Sequence, residues 1–239
     1  MSLKDQFIQA FVENGRYKLL LSGFGATLLI TLFSAVIGVI LGFVCGLIRA
    51  TYDKNKEALK RRGGFSYYLL AVLNFIAKIY ITVIRGTPTV IQLMISYFLI
   101  FAMAQNGVPI AIFAFGLNSG AYVSEIIRGG VMSIDEGQFE AGRSLGFSYV
   151  QTLRYVIIPQ VTKSVFPALM NEFITLFKET SISGYVGIRD LTKGGDIIRS
   201  TTYQAFMPLF LIAGIYLVSV LLLEYVGGKL ERRMRRDER

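Results

Sequence analysis

Residues 19 to 48, LLLSGFGATLLITLFSAVIGVILGFVCGLI, carry no charged side chain, and no other feature restricts the fold so strongly. The run exceeds the roughly 20 residues a helix needs to cross a bilayer core. Only a structure that satisfies its own backbone hydrogen bonds can reside there, so the run is a membrane-spanning helix. Within it Ser34, Gly38, Gly42 and Gly46 recur every fourth residue. Such a stripe lets another helix approach closely in lipid, and close packing is preferred here over the general glycine enrichment of membrane helices.

Composition extends this reading to all 239 residues. Hydrophobic residues make up 53% of the chain and the mean hydropathy is +0.53, well outside the soluble range. A net charge of +9 would suit a nucleic-acid binder if the basic residues shared one soluble face. They cluster instead between and after apolar runs, as the positive-inside rule requires, so the lipid bilayer is the expected partner and nucleic acid is not. A single cysteine, Cys45, allows no internal disulfide and reads as a small buried hydrophobe. Histidine is absent, and so is any G-x-x-x-x-G-K-[ST] phosphate loop. No catalytic residue, metal ligand or bound cofactor is therefore assigned to the chain. Any ATP it depends on, with its Mg, is expected in a partner subunit.

The remaining spans follow from apolar runs separated by charge. Residues 1–18 lack the continuous apolar core of a cleavable signal, and Leu3, Phe7 and Phe11 recur at helical spacing. They form either a short interfacial helix or a disordered tail. Residues 49–62, RATYDKNKEALKRR, are a basic loop followed by Gly63 and Gly64. Residues 65–104 are apolar but interrupted at Arg85-Gly86-Thr87-Pro88, where proline removes a helix donor and disfavours helical geometry at Thr87. Further spans are expected at 108–131, 160–182 and 204–228, before the basic tail at 229–239. If 65–104 crosses once, there are five spans; the two most basic segments then share the cytoplasmic side, as does segment 132–159. The expectation is an all-α polytopic membrane protein with its N-terminus outside and its C-terminus in the cytoplasm. The permease domain is 19–228, and two short cytoplasmic helices lie between the third and fourth spans. Whether 65–84 crosses or lies at the inner interface stays open.

Those two helices occupy 135–157. Asp135 and Glu136 precede a helix-capable run, and Phe139, Leu145, Tyr149 and Val150 can gather on one side. Gly146 costs a helix about 1 kcal/mol relative to alanine and reads as the turn between them. Pro159 opens the next span, where a missing N–H does no harm. A rigid amphipathic element of this size suits a docking surface, and a merely structural loop fits the same pattern.

The spacing Glu140, Ala141, Gly146, nine residues, Val156, Ile158, Pro159 resembles the EAA signature of permease subunits of bacterial ABC importers. Gly142 replaces the signature's second alanine, and Val156 and Ile158 are conservative departures. The blocks IRGTPTVIQL at 84–93, AYVSEIIRGG at 121–130 and KETSISGYVG at 178–187 resemble the polar amino-acid branch of that family. The resemblance implies a multi-pass subunit in the bacterial inner membrane that translocates a polar amino acid. It also implies an ATP-binding-cassette ATPase docked on 135–157, with Glu136, Glu140, Ala141, Gly142, Gly146 and Pro159 in the coupling element. A second permease subunit, identical or not, and an extracytoplasmic amino-acid-binding protein complete the assembly. The chain itself is then not an enzyme.

Ionisable groups inside spans point to function by default. Lys163 and Glu224 lie near span ends and snorkel to the interface. Glu125 and Arg128 are one turn apart and form either a brace or part of the path. In the fourth span Glu172, Thr175, Glu179 and Ser183 fall on one helical face, with Asn171 and Lys178 alongside, and Thr180 and Ser181 extend the polar stretch. Interhelical hydrogen-bonding explains such a stripe, and so does a substrate path. Two carboxylates and a lysine can hold a zwitterion, and a second carboxylate suits a cationic side chain. An ion-gradient-driven secondary transporter is the alternative, although it usually needs more spans or internal repeats. A channel or membrane anchor would not need the spacing from Glu140 to Pro159.

Overall fold

A computed structural model describes residues 2–236, the side chains of residues 3, 58, 59, 62, 235 and 236 excepted. Met1, the end of the basic tail and the side chain of Leu3 therefore lie outside the described residues. Among those described there is no strand. In chain order the helices are α1 (Leu3–Phe7), α2 (Tyr17–Arg62), α3 (Phe65–Arg85), α4 (Thr89–Ile95), α5 (Gly107–Met132), α6 (Glu136–Ser144), α7 (Tyr149–Thr152), α8 (Ile158–Glu179), α9 (Leu191–Thr202) and α10 (Phe206–Arg236). A π turn extends α1 and another extends α4; a third, Leu153–Ile157, joins α7 to α8, and a 3-10 segment, Thr180–Val186, follows α8.

Among the described residues four helical stretches are long and apolar enough to cross a membrane: Tyr17–Glu57 of α2, α3, α5 and Phe206–Met234 of α10. At 22 residues α8 is long enough, but Lys163, Glu172, Lys178 and Glu179 make it more polar, and it falls outside that set. The interruption expected at 85–88 is present: α3 ends at Arg85, and Pro88 caps α4 in extended geometry. The basic loop expected at 49–62 is instead helical, so α2 runs unbroken for 46 residues. Residues 49–62 contain no glycine or proline and are rich in Ala, Lys, Glu and Arg, all strong helix formers. Charge ends the stretch suited to hydrocarbon without ending the helix.

The chain divides into two compact units. The first comprises Met1–Val36, Pro88–Gly116 and Phe173–Val226. One of its cores joins Ile30, Leu93, Phe115 and Leu176, and another joins Phe11, Leu20, Leu191 and Ile198. Ala10 and Phe11 are buried in the second core, which anchors the N-terminal helix to protein. Asp190 caps α9 by accepting from the backbone N–H groups of Thr192 and Lys193 at 3.2 and 3.0 Å. Gly23 lies against it; a Cβ there would come within 2.5 Å of the Asp190 carbonyl oxygen.

The second unit comprises Ile37–Thr87, Leu117–Glu172 and Gly227–Arg239. Here the small-residue stripe of α2 meets α5. A Cβ on Gly42 would lie 2.5 Å from Val123 and 2.9 Å from the Ser124 backbone nitrogen, and one on Gly46 would lie 2.7 Å from the Ser124 carbonyl oxygen. The core around this seam contains Ala50, Val123, Ile127, Val131, Ile157 and Val161. It thus fastens the C-terminal half of α2 and the end of α5 to the start of α8.

Candidate coupling segment and transport face

The segment at 135–157 is built by local capping. Asp135 Oδ1 accepts from the Gly137 N–H at 2.6 Å and starts α6, while Glu136 places negative charge in the first turn, where the helix dipole favours it. At the other end Gly146 adopts φ +82°, the Phe147 N–H donates to the Gly142 carbonyl at 3.0 Å, and the Gly146 N–H donates to Arg143 at 2.9 Å. This is the glycine-terminated Schellman arrangement. Ser148 then begins α7 through a reciprocal capping box with Gln151, at 3.3 and 2.8 Å.

The turn folds α7 back on α6. Phe139 and Tyr149 stack with ring centroids 5.9 Å apart. Leu145 and Val150, expected on the same side, are instead exposed, because the left-handed Gly146 redirects the chain between them. Gly142 is buried, and a Cβ on it would lie 2.5 Å from Thr152 Oγ1. Its departure from alanine therefore lets α7 approach closely. Glu140 and Ala141 face outward, and Glu140 lies 3.9 Å from Arg143 with both side chains about 70% exposed. Pro159 does not restart the chain after a break. It sits one residue inside α8, directly after the π turn at Leu153–Ile157. A proline ring clashes with the carbonyl four residues earlier, and a widened turn absorbs that clash while keeping the helix continuous.

Glu125 is held by cations from two helices. Arg49 Nη1 reaches its Oε1 at 2.8 Å, Arg128 reaches Oε2 at 3.1 and 2.8 Å, and Arg128 extends to Asp53 at 3.5 Å. This network joins α2 to α5 within the second unit and gives the brace its partners.

Along α8, Asn171, Thr175 and Lys178 are exposed, Glu172 and Glu179 are half-buried beside them, and Ile174, Leu176 and Phe177 are buried opposite. Glu172 Oε1 accepts the Ser119 hydroxyl at 2.9 Å, and Glu179 accepts from the Thr89 side chain. Ser181 is partly exposed, whereas Thr180 and Ser183 have no exposed surface. These last two point into the protein, contrary to the expected stripe. The cause is the change to 3-10 geometry after Glu179, which advances about 120° per residue and carries Ser183 off the face that 100° steps predict. Thr89 and Ser119 were not foreseen; both are small hydroxyls in other helices, and nothing local in the sequence pairs them with a carboxylate.

Known proteins agree with this architecture. Residues 63–236 match the family described as binding-protein-dependent transport system inner membrane component, and the chain belongs to that family. It is accordingly a multi-pass transport subunit of the inner membrane and not an enzyme, the ATPase residing in a separate subunit. It is 38% identical over 224 residues to the arginine transport system permease protein ArtQ of Bacillus subtilis, covering 92% of this chain and 94% of that protein. It is 36% identical over 222 residues to the glutamine transport system permease protein GlnP of Escherichia coli K12, covering 91% and 93%. A solved structure described as an amino acid ABC transporter with histidines superposes with a TM-score of 0.77 at 38% identity, covering 91% of this chain and 94% of that one. The inward-facing MetNI methionine ABC transporter shares the fold, with a TM-score of 0.75 at 21% identity.

Proposed function

We propose that the chain is the membrane subunit of an ATP-driven importer of a polar amino acid, with five crossings, an outer N-terminus and an inner C-terminus. The relatives named for arginine and glutamine support that substrate class. An ATP-binding-cassette subunit, which carries ATP and Mg, docks on 135–157 through the exposed Glu140 and Ala141, with Glu136 at the first turn. Gly142, Gly146 and Pro159 shape that surface. A second permease subunit and an extracytoplasmic binding protein complete the transporter.

The observation that carries the substrate path is the sidedness of α8. Asn171, Thr175 and Lys178 form a polar face between two carboxylates, while the opposite face is packed. A polar face at membrane depth must meet water, protein or cargo. Glu172 and Glu179 would receive an ammonium or guanidinium and Lys178 a carboxylate, with Ser181 at the end of the path. Ser119 and Thr89 orient the two acids. Glu125 braces α2 and α5 outside that path.

Glu172→Gln and Glu179→Gln are expected to lower binding-protein-dependent uptake in proteoliposomes about tenfold, with ATPase docking intact. Unchanged uptake and specificity in both variants would remove α8 from the path. Uptake that persists without ATP would identify an ion-gradient-driven transporter instead.

A further inference from the structure

Within the second unit a cavity of about 650 Å³ opens between α2, α3, α6 and α7. Among its charged lining residues Lys54 and Arg143 are cationic, and Glu136 is the sole acid. Asn55 and Ser66 add polar hydrogens, and Phe139 forms an apolar wall. Among the described residues neither cation has a close carboxylate partner. Lys54 rides 4.4 Å over the Phe139 ring and donates a long 3.4 Å bond to the Ile134 carbonyl, and Arg143 makes a loose 3.9 Å contact with Glu140. Ser66 stands in the first turn of α3, whose N-cap, Gly64, supplies no side-chain acceptor. The positive end of that helix adds to the field of the two cations.

The surface beside the cavity is apolar. Phe65, Tyr68 and Val72 along α3 are 80%, 66% and 55% exposed, which suits hydrocarbon. Basic pockets at the inner ends of membrane helices are fitted to anionic lipid headgroups. We propose that this cavity seats the phosphate of an anionic phospholipid of the inner leaflet, with its acyl chains laid along α3. Lys54 and Arg143 pair with the phosphate, while Asn55 and Ser66 donate to its oxygens or to the headgroup. The inference rests on the cytoplasmic placement of 49–62 and 135–157 proposed above.

The test is native mass spectrometry of the transporter complex extracted from nanodiscs of equal phosphatidylglycerol and phosphatidylcholine. The complex should retain phosphatidylglycerol preferentially, and Lys54→Gln with Arg143→Gln should reduce that retention about tenfold. Lys54→Arg alone, which keeps the cation, should leave retention at the unsubstituted level. Lys56→Gln with Lys60→Gln removes the same charge from exposed positions of α2 outside the cavity and should leave retention unchanged. Equal loss in the two pairs, or equal retention of the two lipids, would overturn the proposal. So would glycerol 1-phosphate binding in detergent without any retained lipid, which would define a soluble-anion site. Orientation is read separately, by labelling Ser66→Cys in a Cys45→Ser background with an impermeant maleimide. Labelling from outside would sink the transport topology while leaving the lipid counts to stand or fall alone.

Discussion

Helices α3 and α5 are both long and apolar enough to cross a membrane, yet 67% of the α5 window is buried inside the protein and 11% of the α3 window is. Hydrophobicity does not separate them. Side-chain size does: α5 carries Gly116, Ser119, Gly120 and Ser124, whereas α3 presents Phe65, Tyr68, Val72 and Phe75 outward. Lipid is as apolar as leucine, so large aliphatic and aromatic groups lose nothing by facing it. Small residues gain by facing protein, because backbones then approach and polar atoms find partners. A membrane protein of this kind sorts its helices by shape and polarity.

The sharpest way to break this contrast is to enlarge the seam of α5. Gly42→Val should lower stability by about 3 kcal/mol, the upper part of the range for overpacking, because the Ser124 backbone nitrogen cannot yield. The thermal midpoint of the purified complex should fall accordingly. Next comes the ionic tie near the C-terminal end of α5. Glu125→Gln leaves Arg49 and Arg128 without their carboxylate and should cost about 2 kcal/mol, with most of the loss recovered in a double-mutant cycle with Arg49→Gln.

A smaller effect is expected at the tie between the two helices. Tyr80 on α3 donates its hydroxyl to the Leu117 carbonyl of α5 at 2.6 Å. Tyr80→Phe should cost about 1 kcal/mol in the same thermal assay. On the outer face of α3, Val72→Ala should change stability by less than about 0.5 kcal/mol in that assay. A loss at Val72 as large as that at Gly42 would show that another protein surface, and not lipid, covers α3.

Much of the coupling segment was legible because its signals are local. Asp135 caps within two residues and Gly146 breaks within one turn, so two short helices could be read directly. The neighbouring misreadings have equally physical causes. Residues 49–62 read as a loop because charge marks the edge of hydrocarbon, yet Ala, Lys, Glu and Arg continue a helix readily. Pro159 read as a restart because the π turn that accommodates it leaves no compositional mark. Gly142 read only as a departure from the signature's second alanine, because its partner, Thr152, arrives only after the chain has turned at Gly146.

The proposed transport face of α8 divides in the same way. Its carboxylates and Lys178 stood out as charges in an expected span, and the buried face of Ile174 and Phe177 followed from helical periodicity. Ser183 was misplaced because periodicity presumes a constant 100° step, and the helix tightens after Glu179. Sequence by itself determined membrane residence, four of the five expected spans, the break at 85–88, the capped pair of short helices and the cluster of charges along α8. All of these depend on residues within a turn or two of one another. Tertiary structure alone decided that α5 is interior and α3 peripheral, that Arg49 and Arg128 converge on Glu125, and that Ser119 and Thr89 steady the two acids. Those outcomes depend on which helix the chain brings alongside, and a side chain's own hydropathy holds no information about its distant neighbour.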